Sequence, residues 1–235
     1  MTEQHFTLPV AATLRLQARS GGISVTAEPR DDVAIDGDRA KGGLDDDGRT
    51  LLIRSGHAGS KSMSVRCPVG TDVKVGTQSG SVTLDGRFGD VRVTTMSGKI
   101  QVDAAERADL RTMSGSLSVA TCDGSCRMSA VSGSITGGDV DHAAAQTISG
   151  AMKFERVRGA FRARTVNGSI DVRAGGEGDI AVKTVAGSVR IALPAGTAIV
   201  PCINTRGSVR CLLPEGDDCR VDAVSLSGSI DVVPL

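Results

Sequence analysis

The chain has 235 residues, with 27 Lys and Arg against 27 Asp and Glu, so it carries no formal net charge at pH 7. Hydrophobic residues make up 40% of it, yet there is no Trp, no Tyr and only four Phe, so any core is thin and aliphatic. A neutral chain without aromatic stacking platforms is a poor nucleic-acid binder, and no nucleic-acid partner is expected.

The start, Met1-Thr2-Glu3-Gln4-His5-Phe6, lacks a basic segment followed by an apolar stretch, and nowhere do 18 apolar residues run together. The expectation is a cytoplasmic protein with no membrane span. Leu14, Leu16 and Ala18 then precede Gly21, with Ile23 and Val25 after it. Three alternating apolar pairs follow, Val33 with Ile35, Leu51 with Ile53 and Met63 with Val65, predicting short irregular strands. Acids crowd this region: Glu28, Asp31, Asp32, Asp36, Asp38, Asp45, Asp46 and Asp47, with only Arg30, Arg39 and Lys41 among them. The run Gly42 to Asp47 reads as a turn, and its spacing fits no known calcium loop.

From residue 73 the chain repeats. Glycines at 80, 98, 115, 133, 150, 168, 187, 207 and 228 recur at 17 to 21 residues, most preceded by Ser and followed two residues later by an aliphatic side chain. Counted from each glycine, the positions seven and five before it are apolar throughout, as in Val91 and Val93 or Phe161 and Ala163. Two and four after it the same holds, as in Ile100 and Val102, except at Gly137. Residues two apart on a strand share a face, so each repeat is two half-buried strands joined at a glycine corner. Seventeen or 18 residues are too few for a helical crossover but enough to close one coil of a solenoid. Gly21 marks a tenth copy.

The fold predicted is all-β: a single-stranded parallel β-helix, right-handed by the general preference of parallel crossovers. One elongated domain over 1–235 is expected, with irregular N-terminal coils and a cap over 1–72 and regular Ser-Gly coils over 73–235. Three residues before each glycine stands Thr77, Thr95, Thr112, Ala130, Thr147, Thr165, Thr184, Asn204 or Ser225, pointing inward, where a hydroxyl would bond its neighbour or the turn backbone. Inward threonines do not make an ice-binding face. Gly137 beside Phe154, and Ala143 beside Phe161, read as small-against-large packing between neighbouring coils. Pro234 in the last coil reads as blunting a terminal edge.

The units Thr95-Met96-Ser97-Gly98-Lys99-Ile100-Gln101-Val102 and Thr112-Met113-Ser114-Gly115-Ser116-Leu117-Ser118-Val119 resemble the hallmark of a bacterial putative adhesin domain family of β-strand-repeat proteins, a domain of unknown function. The stretch Leu14 to Ile35 resembles that family's usual start, so the likeness covers nearly the whole chain. The resemblance implies a β-helix-like solenoid with no established catalytic activity.

Little in the sequence points to chemistry. His5, His57 and His142 fall at no common repeat position, and Gly175-Gly176-Glu177-Gly178-Asp179 lacks the strand-then-helix setting of a phosphate loop. No cofactor or metal is called for. The six cysteines fit no zinc spacing; Cys126, Cys202 and Cys211 fall in apolar columns and read as small buried hydrophobes, while Cys122 and Cys126 would bridge a corner only if the protein were exported. One outward face carries a basic stripe, Lys74, Arg92, Arg111, Arg127, Arg162, Arg164 and Lys183, interrupted by Asp109.

The function expected is a non-catalytic structural, scaffold or adhesin-like module for a protein or envelope partner. The alternatives are a self-assembling, bactofilin-like polymer of solenoids stacked end to end, and a β-helix polysaccharide lyase or hydrolase; an acidic end and a basic flank also favour head-to-flank self-association.

Overall fold

The computed structural model describes residues 4–7, 13–36, 40–45, 49–55, 62–175, 178–216 and 218–235. Among them there is no helix, hence none long and apolar enough to cross a membrane. The expected all-β parallel solenoid is what the chain forms. It divides into two compact units, Met1–Val119 and Ala120–Leu235.

Unit 1 contains β1 (Gln4–Thr7), β2 (Thr13–Ala18), β3 (Ile23–Glu28), β4 (Asp32–Asp36), β5 (Ala40–Leu44), β6 (Thr50–Ser55), β7 (Met63–Pro68), β8 (Asp72–Ser79), β9 (Val82–Ser97) and β10 (Ile100–Ser114). β11 (Leu117–Ser132) runs through the boundary. The apolar columns stack as the sequence requires: Val75 opposes Val93 and Val93 opposes Leu110, while Val82 opposes Ile100 and Leu84 opposes Val102, all in parallel. Each long strand bends round the coil, and its third side adds an inward pair that the glycine offsets do not reveal, Phe88 opposite Ala105.

Gly98 shows why the corner needs glycine. Its φ is +134°, and a Cβ built there would run into the carbonyl oxygen of Gly80 on the adjacent coil. The coil around Gly21 is the tenth copy, lying against Gly80 in the same way.

The order of coils departs from the order of the chain. β2 pairs with β8 on one side and with β6 on the other; β3 pairs likewise with β9 and with β7. The first coil of the sequence is therefore second in the stack, and β6 with β7 forms the outer coil. Leu51 with Ile53 and Met63 with Val65 thus belong to a regular rung; of the three pairs, only Val33 with Ile35 caps. β4 lies antiparallel on β7, β1 antiparallel on β4, and β5 antiparallel on β6. Under this cover Leu51, Ile53, Val65 and Cys67 are completely buried.

Unit 2 continues with β12 (Ile135–Ser149), β13 (Met152–Val157), β14 (Phe161–Asn167), β15 (Ile170–Ala174), β16 (Ile180–Ala186), β17 (Val189–Leu193), β18 (Ile199–Thr205), β19 (Val209–Cys211), β20 (Cys219–Ser227) and β21 (Ile230–Pro234). Ala145 opposes Ala163 and Ala163 opposes Val182; Gly137 opposes Phe154 and Phe154 opposes Val172. A Cβ on Gly137 would collide with the Phe154 ring, so the small-against-large packing is real. Phe154 and Phe161 meet edge to face with centroids 4.9 Å apart. Cys122, Val140, Val157 and Ala174 line the third side.

Sequence order fails again at the C-terminal end. β20 pairs with β16 and β18, and β21 with β17 and β19, so the last coil of the chain is inserted between the coils of Gly187 and Gly207. Coils consecutive in both chain and stack need 17 to 19 residues, whereas 20 and 21 separate these glycines, and the extra length lets the chain step over one rung and return. Pro234 therefore faces Leu193 inside the stack and blunts no edge, a correction to its sequence reading. In the outer coil the register has also slipped by one. Pro201 opposes Val221 and Ile203 opposes Ala223, which turns Val200, Cys202 and Asn204 outward. Cys202 and Cys211 are exposed rather than buried, Cys202 through this slip and Cys211 because no described strand pairs with β19 on its outer side; Cys126 is buried as expected.

The inward hydroxyls bond the turn. Thr95 Oγ1 donates to the Ser97 carbonyl at 3.1 Å, and Thr112 and Thr147 repeat the bond to Ser114 and Ser149 at 3.3 Å. Thr165, Thr184 and Ser225, stacked in file, are buried, and among the described residues their hydroxyls have no hydrogen-bond partner.

Candidate functional site

Alternation along the strand before each glycine corner sends the residues six, four and two positions ahead of the glycine outward. They form a flat face of three columns on each unit. The column nearest the corner is unusual: Met96 and Met113 in unit 1, and Val131, Ile148, Val166, Val185 and Leu226 in unit 2, are each between 40% and 56% exposed. Scattered exposed aliphatics need no explanation, but a file of them on successive rungs does. In unit 2 the file runs in spatial order, because Val166 lies beside Val185 and Val185 beside Leu226 through the paired residues flanking them. A shallow groove of about 360 Å³ follows it, lined by Val131, Ile148 and Val166 with Ser129, Gln146 and Arg164. Gln146 Nε2 donates to Ser129 Oγ at 2.9 Å and fixes its floor.

This column is not among the candidate residues legible from sequence. Its signal was present as an aliphatic residue at an outward offset in every rung from Val131 to Val185, a break in the inside-outside rule that is visible only once the alternation is carried through the corner.

The basic stripe occupies the two columns beside the file. In unit 1, Lys74 and Arg92 are direct neighbours, but Arg92 and Arg111 both turn to Asp109, at 2.9 and 3.0 Å. Burial alone would push the Asp109 carboxyl up; the hydrogen bonds from Arg111 and Arg92 outweigh it and hold the pKa below the usual carboxylate value. Asp109 thus offsets one of the three positive charges in this part of the stripe. In unit 2, Arg164 lies directly opposite Lys183, with Arg162 two residues earlier on the same strand, and Arg127 stands on β11 two residues before Ser129. Among the described residues none of these four makes an ion pair, and all are exposed. The seven residues thus separate into a unit 1 group, in which Arg92 and Arg111 share Asp109, and a unit 2 group of four without ion pairs among the described residues, which shares its face with the aliphatic file.

The remaining candidates are placed apart. His5 Nδ1 lies 2.8 Å from Asp32, whose carboxyl is held low by His5 and then by Arg30. His142 Nδ1 accepts from the Ala160 amide at 3.0 Å, which leaves its proton on Nε2. Asp45 is exposed; His57, Asp38, Arg39, Asp46, Asp47, Gly176 and Glu177 lie outside the described residues. Among the described residues no three His, Cys, Asp or Glu side chains group closely enough to hold a metal. All six cysteines are free thiols, and burial raises Cys67 to about 11.

The sequence profile of the Toastrack DUF4097 family matches residues 7–233. No curated protein matches in sequence. Among solved structures the chain is similar to a putative adhesin from Bacteroides fragilis NCTC 9343, at 15% identity and a TM-score of 0.38, covering 98% of this chain and 96% of that one. It is also similar to a putative adhesin from Parabacteroides merdae ATCC 43184, at 11% identity and a TM-score of 0.43, covering 97% and 95%. A third, from Parabacteroides distasonis ATCC 8503, is 12% identical with a TM-score of 0.40, covering 98% and 96%.

Proposed function

The chain belongs to the Toastrack DUF4097 family, and on that footing we propose that it is a non-catalytic, adhesin-like interaction module whose unit 2 holds a protein partner on its flat face. The observation that carries this reading is the exposed file Val131, Ile148, Val166, Val185 and Leu226. Exposing five aliphatic side chains in file forgoes burial that a partner would recover, at about 25 cal/mol per Å² of apolar area covered. Arg162, Arg164 and Lys183 beside the file favour a partner with acidic groups flanking its apolar strip and set its approach by charge.

The test is capture from a native envelope extract by the wild-type chain and by the double variant Ile148→Ser, Val166→Ser. Both substitutions lie on exposed positions, so circular dichroism should be unchanged. Retention of the specific partner should drop by about tenfold or more, equivalent to roughly 1.4 kcal/mol. Arg162→Glu with Arg164→Glu should weaken capture further at low salt than at high salt. Equal retention by the serine variant would remove the file from the binding surface.

A further inference from the structure

The two outer coils are treated differently by the fold. In unit 1, β6 and β7 lie beneath three antiparallel strands, and their inward residues are sealed. In unit 2, the outer coil of β18 and β19 pairs inward with β20 and β21, and among the described residues its far side is met only at Ile199, by the segment 214–216. Val209 and Cys211 stand opposite Ile230 and Val232, two completely buried residues, and so belong to the core columns, yet both are exposed, Val209 at 48%. Leu212, 52% exposed, continues the same rim. This is a solenoid core cut open, and repeat folds ordinarily close such an end with a polar rung.

The backbone is open as well. The Ile199 N–H and C=O both bond the segment 214–216, on the side away from β20. By alternation the main-chain groups of Pro201, Ile203 and Thr205 face that same side. Pro201 supplies no donor, so the pairing capacity lies at Ile203 and Thr205, and on β19 at Val209 and Cys211, next to the bare core residues.

We propose that this open coil is the docking surface for a second copy of the chain, open coil upon open coil about a twofold axis. Three features select that occupant. An edge whose donors and acceptors alternate complements itself when reversed, which is the isologous contact of a C2 pair. The stretch 199–205 carries no charge to repel its own copy, and the rim holds both signs, Arg206 and Arg210 with Glu215, so reversal brings unlike groups within reach. The covered coil of unit 1 offers no matching core surface, so the contact closes a pair and does not propagate a filament. This inference does not depend on the aliphatic file, which lies on a different face of unit 2.

Sedimentation velocity on the full chain, from about 1 to about 100 μM, tests it, because association must follow mass action. The wild type is expected to move from the 24.0 kDa species to one of twice that mass. Val209→Lys, an exposed position that leaves the fold intact, should raise the dimer dissociation constant at least tenfold, whereas Ile148→Lys on the aliphatic file should leave it unchanged. A monomer throughout the range, a dimer insensitive to Val209→Lys, a dimer lost on Ile148→Lys, or growth into longer polymers would each overturn the proposal.

Discussion

Gly137 and Phe154 share one volume between neighbouring rungs, and the energetics of each depend on the other. Phe154→Ala removes a fully buried ring that also meets Phe161, and should cost roughly 3 to 5 kcal/mol in a denaturant titration. Gly137→Ala should cost about 1 to 3 kcal/mol through overpacking. The double variant should be markedly more stable than the sum implies, because the new methyl enters space the ring has left. The threonine file permits a sharper contrast. Thr95 bonds the Ser97 carbonyl, so Thr95→Val should destabilise by about 1 kcal/mol; Thr184 buries an unpartnered hydroxyl, so Thr184→Val should be neutral or stabilising. The sequence made all these threonines look alike. Whether an inward hydroxyl reaches the turn carbonyl depends on tenths of an ångström in the corner, which residue identity does not encode.

Corners and rungs are the next scale. Gly98→Ala should be among the most damaging single changes in unit 1, since it combines a left-handed φ with a backbone collision that no side-chain rotation relieves. A drop of several kcal/mol, or loss of the folded state by circular dichroism, is the expected outcome. The inward columns were readable because a two-residue period and a fixed glycine offset specify both face and register. The order of the rungs was not, because the coils of Gly187, Gly207 and Gly228 carry interchangeable column chemistry and nothing but loop length distinguishes their neighbours. The one-residue slip of β18 follows from the same weakness. Val200 and Pro201, like Cys202 and Ile203, are both acceptable inward pairs, and the segment 214–216 settles the choice by bonding Ile199. Cysteine reactivity follows the observed register. In dilute protein Cys202 and Cys211 should react with a thiol reagent, while Cys67, Cys122, Cys126 and Cys219 should react only on unfolding.

For the molecule as a whole, those buried thiols tie stability to alkaline pH. Burial pushes Cys67 from 9.0 up to about 11, and raises Cys219 as well; a hydrogen bond with Cys122, then burial, raises Cys126. Above pH 9 the unfolded chain releases these protons while the folded one keeps them, so stability should fall from pH 9 towards 11 and stay flat just below 9. Cys67→Val should remove roughly 2 kcal/mol of that fall, read from denaturant titrations across the range. The fold was legible at this scale, and the candidate site only in part. The stripe was visible as charge, but the pairing of Arg92 and Arg111 with Asp109, and the position of the other cations beside aliphatic side chains, needed the lateral placement of the rungs.

The inserted final rung also bears on mechanics. A pull applied along β21 must shear β20 and β21 from ladders on both flanks at once, whereas an outermost rung would peel from a single neighbour. Load entering unit 2 through β21 would therefore meet two ladders at once, where the outer coil of β18 and β19 would offer only one.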